Sequence, residues 1–361
     1  MDLHIPTEPI GSIPRPRSLI EEIRRAGDGS SPALEPFYER ALRDTLHAFE
    51  ETGSPVLSDG EQNKFHDFWT YSVHGLPNIA PDGFELKYAS GHVRRMPRLT
   101  FGPFHYQRYA DIFVDYAMSR THLPVKQAVI SPSALSLLYP AHGIPGYSRE
   151  AFLDDLAREH ATEVRRCLAS GAHSVQIDFT EARYALKIDP TGELLAKFVE
   201  LNNRALAPLS SLECARIGVH TCAGGDCNST HSADVAYDDL LPALFSLKVR
   251  NFYVALAGEP DRLVVLGLIR KHLKPGQRVF VGVTSPVDAR VETAAEVCER
   301  VLEAARYIPL DQLGTTDDCG FSPFYDDVST SREVAFAKIR ARVAGTALAE
   351  KLLDKSQGQR H

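Results

Sequence analysis

Short apolar segments alternate with longer amphipathic stretches along almost the whole chain, and this rhythm sharply restricts the folds open to it. Strand candidates fall at 5–12, 55–61, 126–131, 174–179, 216–221, 251–257, 278–284 and 313–317. Between most of them apolar residues recur at helical spacing, as in 149–170, 192–211, 237–247, 261–273 and 291–307, and a final helix is predicted at 331–353. About eight such units predict an α/β fold, a (β/α)8 TIM barrel rather than an open doubly wound sheet. No Gly-x-Gly-x-x-Gly opens a helix, which argues against a dinucleotide fold. At 361 residues, 43% of them hydrophobic, residues 1–361 suffice for one such barrel domain. Residues 71–107, rich in Gly, Pro, His and aromatics, interrupt the rhythm. Their alternating run at 92–101 predicts an inserted β-hairpin or loop excursion, either a lid over the mouth or an elaborated loop.

Polar residues cluster where each strand should end. Gly11 and Ser12, Asp59 and Glu61, Ser131, Asp178, His220 and Cys222, Thr284 and Ser285, and Cys319 all do so, and Glu259 follows the sixth strand. A β/α barrel builds its active site at that end, so these scattered residues are expected to meet in one pocket. His220 and Cys222 are two residues apart and face the same side of an extended strand. An imidazole and a thiolate so placed suit zinc. Cys319, similarly situated about a hundred residues later, would complete a site of one His and two Cys with a position open for a substrate thiol.

Other readings stand beside this one. Cys222 and Cys319 would also serve as buried packing thiols, and Cys227, beyond the Gly224-Gly225 turn, is a rival ligand. Cys167, Cys214 and Cys298 fall in helical patterns and read as packing. Asp178 and Glu61 read as ligand-binding carboxylates or helix caps, and Asp59 as a cap. Asp317 and Asp318 either orient a metal ligand or serve turn chemistry. His74, His92, His105, His142 and His231 receive no role.

A net charge of -7 gives no sign of a nucleic-acid or anionic-membrane partner. No apolar run approaches the roughly 20 residues of a membrane span, and the start of the chain does not read as a signal segment. Six cysteines are too sparse for a disulfide framework. A cytoplasmic enzyme of small molecules is expected, with an oligomer left open.

The motifs Ile10-Gly11-Ser12, Asp59-Gly60-Glu61, Gln176-Ile177-Asp178, His220-x-Cys222 and Asp318-Cys319-Gly320 occur in the order found in cobalamin-independent methionine synthase. The resemblance is to that family's catalytic C-terminal barrel and covers essentially the whole chain. It implies a zinc enzyme that activates homocysteine as a thiolate and methylates it from a methyltetrahydrofolate, a step of methionine biosynthesis. It also implies His220, Cys222 and Cys319 as zinc ligands, and Ile10, Gly11, Ser12, Glu61 and Asp178 at the amino-acid end of homocysteine.

The departures from the family fall at one zinc ligand and in the folate half. Its further Glu ligand is replaced by apolar residues in Phe252-Tyr253-Val254-Ala255-Leu256-Ala257, leaving Glu259 as the candidate substitute, or three protein ligands. Its Asp-Glu-Pro becomes Asp178-Phe179-Thr180, and its protonating His aligns near Thr284. The folate-stacking aromatic is missing from Val129-Ile130-Ser131-Pro132, and Trp69, the only Trp, lies elsewhere in the sequence. This combination also resembles the single-barrel relatives, among them epoxyalkane:coenzyme M transferase, in which a zinc-held thiol opens an epoxide.

The expected reaction is therefore S-alkylation of a small-molecule thiol by a methyl or other alkyl donor. Asp178, Tyr184 and Tyr253 are the candidates for the proton donor, with Asp178 and Tyr184 preferred. Two rivals are a metal-free enzyme like uroporphyrinogen decarboxylase, using Arg15, Arg17 and Arg183, and a redox-sensing binding protein with a cysteine pair.

Overall fold

The computed structural model describes residues 3–65 and 67–358. Its centre is a six-stranded parallel sheet built from β1 (Lys126–Ile130), β2 (Ser174–Asp178), β3 (Ile217–Thr221), β4 (Asn251–Val254), β5 (Arg278–Thr284) and β6 (Leu313–Asp317). The strands lie side by side in sequence order, each parallel to its neighbours. Their polar ends therefore fall on one side of the sheet, as the alternation of the sequence requires.

The first two expected strands are not regular strands. Thr7 makes a single parallel bridge to Thr315, and Leu57 one to Val125. Each segment thus lies against one edge of the sheet, and the Ile13 N–H donates to the Gly60 carbonyl at 3.0 Å to join them. Proline explains the shortfall. Pro6 and Pro9 flank Thr7, Pro55 precedes Leu57, and each removes a donor that a longer ladder would use.

Helices connect the strands on cue from their caps. Ser148 accepts from the Ala151 N–H to open Arg149–Ala169, and Thr293 with Glu296 forms a reciprocal cap on Ala294–Ala304. Glu193–Leu206, Arg262–His272 and the closing Arg332–Gly358 occupy the other predicted positions, while 237–247 yields only the short Leu240–Leu244. Val129, Ile177, Val219, Phe252, Val281 and Leu313 are fully buried along the sheet. Among the described residues no helix is long and apolar enough to cross a membrane.

The interruption at 71–107 is a nested pair of antiparallel ladders, Glu85–Lys87 with Val93–Arg95 and Ile79–Ala80 with Arg98–Leu99. Leu86, Tyr88, Met96 and Leu99 turn inward and are buried. The Tyr71 hydroxyl and the Ala110 N–H both bond to Glu163, which pins the two ends of the insertion to the helix after β1.

Candidate metal centre

β3 delivers His220, and Cys222 follows just past its end on the same side, as two-residue periodicity requires. Cys319 arrives one residue beyond the Asp318 that follows β6. The Cys222 and Cys319 sulfurs are 3.2 Å apart. With a nitrogen of His220 they form a group whose ligand atoms all lie within 4.8 Å of one another. Asp178, opposite His220 in the β2–β3 register, sits 3.1 Å from its Nδ1. Gln176 Nε2 donates to the same carboxylate oxygen at 2.7 Å. This partner favours a proton on Nδ1, and Nε2, 3.2 Å from the Asp318 carbonyl, is the nitrogen that would give its electron pair to a metal ion.

The residues suit a zinc ion on chemical grounds. One imidazole and two sulfurs are a common zinc donor set. Without a metal the thiolate form is disfavoured: the hydrogen bond with Cys222, together with burial, holds the Cys319 thiol well above its ordinary range. A shared divalent cation is the standard way for two such sulfurs to lose their protons.

Glu259, the candidate fourth ligand, is engaged elsewhere. Its carboxylate pairs with Arg183 at 2.6 Å and is not part of the cluster. The two aspartates beside Cys319 separate in role. The Asp318 carboxylate accepts the N–H groups of Leu256, Ala257 and Gly258 at 2.7, 2.8 and 2.7 Å, pinning the loop after β4. Gly282 permits that approach, since a Cβ there would stand 1.8 Å from an Asp318 oxygen. Asp317 faces the closing helix, bonded to Arg342 and Thr284. The carboxylate against the His220 ring is thus Asp178, while those of Asp317 and Asp318 hold backbone and helix contacts.

Beside the sulfurs lies a pocket lined by Ile10, Ser12, Glu61, Asp178, His220 and Cys319. Gly11 stands behind it, its carbonyl accepting from Ser58. Glu61 reaches the pocket from an unusual turn: Gly60 and Glu61 both adopt left-handed backbone, with φ of 65° and 58°. Such strain in a non-glycine residue persists only where the surroundings enforce it. Here the Arg15 guanidinium holds the carbonyls of Glu61 and Lys64, and Lys64 Nζ pairs with the Glu61 carboxylate at 2.7 Å. Burial nevertheless raises the Glu61 carboxyl to about 6, against the opposing pull of Lys64.

Three residues given no part by sequence complete the walls. Trp69 and Tyr88 line the pocket, and His231 is buried beside them. Burial, with Lys187 and Arg183 nearby, lowers the His231 imidazole to about 3, so it is neutral. Trp69 is thus no outlier: the fold folds it back over the mouth. Only the aromatic character of 71–107 and its neighbourhood hinted at this. The insertion walls the pocket through Tyr88, and its tip is tied to the turn after Cys222 by the Ala89 N–H to the Thr230 carbonyl.

The other candidates lie apart from the sulfurs. Tyr184 packs edge-on to Phe84 and His231 in a neighbouring apolar cavity. The Tyr253 hydroxyl donates to Glu8 and is fully buried. Cys227 falls with His92 and Asp226 in a second cluster, where Arg94 engages both Asp226 oxygens. Burial, with Asp327 and Asp226, pushes its thiol up to about 12, and the group reads as a strap between the insertion and the 225–230 turn.

No family model matches the chain. It is 25% identical over 328 residues to 5-methyltetrahydropteroyltriglutamate–homocysteine methyltransferase of Nitratidesulfovibrio vulgaris, which is 88% of this chain but 39% of that protein's length. It is 23% identical over 347 residues to methionine synthase of Saccharolobus solfataricus, covering 95% of this chain and 94% of the other. Its fold matches a B12-independent methionine synthase from Shewanella sp. W3-18-1 with TM-score 0.77 and 22% identity, over 97% of this chain and 99% of that one. A second likeness, TM-score 0.67 at 20% identity, is to the B12-independent methionine synthase of Listeria monocytogenes described as putative in its name, over 95% and 98% of the two chains. With the motifs in their expected order, the chain is similar over nearly its full length to cobalamin-independent methionine synthases.

Proposed function

We propose that this chain is a zinc-dependent thiol S-methyltransferase whose acceptor is homocysteine or a close analogue, with residues 1–361 acting as one catalytic unit. The observation that carries the reading is the meeting of His220, Cys222 and Cys319 around a point a metal ion could occupy. Zinc bound there would keep the acceptor's sulfur as a thiolate, the nucleophilic form, and fix its direction.

The chain's own groups do the rest. Asp178 accepts from the His220 Nδ1–H, so that Nε2 is the ring nitrogen that would turn to the metal. Glu61, Asp178 and Ser12 offer oxygens to an ammonium group at the other end of the acceptor. Trp69 and Tyr88 exclude water from the pocket between.

The pocket's charge also separates the two alkyl-transfer readings. Coenzyme M ends in a sulfonate and calls for cations, yet among the described residues no Lys or Arg lines this pocket, whereas an amino acid's ammonium meets two carboxylates. The uroporphyrinogen-decarboxylase reading fares no better, because Arg15 and Arg183 are spent on carbonyls and Glu259.

Removal of metal with a strong chelator is expected to abolish homocysteine methylation, and stoichiometric zinc to restore it. Cys222→Ala and Cys319→Ala should each lose both zinc and turnover. Full activity in a metal-free preparation would overturn the proposal.

A further inference from the structure

The sulfurs face a second cavity besides the acidic pocket. It has a volume of about 430 Å³, within the range of small-molecule sites, and both Cys222 and Cys319 form part of its wall. The remaining wall is made mostly of small residues such as Ala223, Ala255 and Gly258, with hydroxyls from Thr230 and Ser285. Its charged lining residues are Glu259 and Asp318, both acidic. Among the described residues no Lys, Arg, His or aromatic ring lines it. The nearby Arg183 donates to Glu259 and to the carbonyls of Ala233 and Val235, so its charge is committed.

These features select among alkyl donors. A flat pterin finds no ring to stack on here, and a polyglutamate tail finds no cation. A methylamine or an epoxide must also receive a proton as it leaves, whereas the two carboxyl groups of this wall are already engaged, Asp318 by three backbone N–H groups and Glu259 by Arg183. A sulfonium needs none, since it departs as a neutral thioether, and the Asp318 carboxylate, which has no cation partner among the described residues, favours its positive charge.

We propose that the alkyl donor enters through this second cavity and is a compact methyl sulfonium. The inference rests on the thiol-activating reading above and specifies its other substrate. The acceptor's thiolate sulfur attacks the methyl carbon, and a new S–CH3 bond forms as the bond to the sulfonium sulfur breaks. That bond's electron pair stays with the departing sulfur, so charge cancels, no proton moves and nothing is oxidised.

The test uses zinc-loaded full-length protein with homocysteine and four donors: trimethylsulfonium, S-methylmethionine, 5-methyltetrahydrofolate and methyl iodide. Methyl iodide needs no binding site and reports thiol activation alone. Turnover with either sulfonium, at least tenfold faster than with the methylfolate, supports the proposal. Accelerated methyl iodide alkylation without sulfonium turnover, or with methylfolate preferred, overturns the donor assignment while leaving thiol activation intact. No acceleration even of methyl iodide overturns the reading beneath both. In the positive case Val287→Lys, which places a cation at the half-exposed cavity wall, should lower sulfonium kcat/KM about tenfold more than Val287→Met, which adds similar bulk without charge. Equal losses in the two variants would remove the electrostatic argument.

Discussion

Glu61 and Asp318 show how much a single carboxylate's surroundings decide. Glu61 is held in left-handed backbone with its carboxyl raised to about 6 by burial. It is therefore ionised at neutral pH and ready for an ammonium, and becomes protonated as pH falls through about 6. KM for the thiol acceptor is expected to rise on that descent. Glu61→Gln should raise KM about tenfold at pH 7.5, the worth of one charge-assisted hydrogen bond, and should flatten the profile. A KM that stays constant from pH 7.5 to 5 would contradict the role. Asp318 does the opposite work, since its oxygens accept three backbone N–H groups and touch no substrate space other than the second cavity's wall. Asp318→Ala leaves those donors unmatched and should cost about 2–4 kcal/mol in urea unfolding, far more than an exposed carboxylate. The sequence could pair His220 with Cys222 by periodicity alone, but it gave no way to tell which of Asp178, Asp317 and Asp318 orients the imidazole. That choice depends on strand register, and the register is a property of the assembled sheet.

At the scale of elements, the inserted ladders and the helix Arg149–Ala169 are joined through Glu163. It accepts from the Tyr71 hydroxyl at 2.9 Å and the Ala110 N–H at 3.2 Å, with His160 4.0 Å away. Burial raises its carboxyl from an ordinary 4.5 to about 8, and lowers His160 to about 3, so both are neutral at pH 7. The unfolded chain releases the Glu163 proton near pH 4.5 and the folded chain holds it until about 8. The group's contribution to stability is therefore complete below pH 4.5 and is lost as pH rises through 8. Glu163→Gln keeps an acceptor oxygen without the titration. Its melting temperature relative to the wild type should climb steadily between pH 5 and 8.5, and a constant difference would contradict this account. The insertion itself was visible as an alternating run, and its pairing at 85–95 follows that alternation. Its place over the site was not visible, because Tyr88 and Trp69 meet the sulfurs' pocket only through contacts between segments with no shared periodicity.

For the molecule as a whole, six of the eight expected strands are regular and lie in sequence order, and their residues, polar ones included, are buried almost throughout. The other two fall short where prolines withhold donors, a local veto that the apolar pattern around Thr7 and Leu57 masks. The clustering of the site residues was legible because strand ends concentrate polar residues on one side of such a sheet, while the second cavity, with its acidic wall, became visible only once the loops after β3, β4 and β5 were placed. The central claim is that His220, Cys222 and Cys319 hold one zinc with a position left for the acceptor's sulfur. X-ray absorption at the zinc edge of the loaded protein, before and after homocysteine, tests it most directly. Two sulfur scatterers and a histidine nitrogen, with a third sulfur near 2.3 Å appearing when homocysteine is added, is the predicted result. An all-oxygen and nitrogen shell, or a sulfur count unchanged by homocysteine, would contradict it.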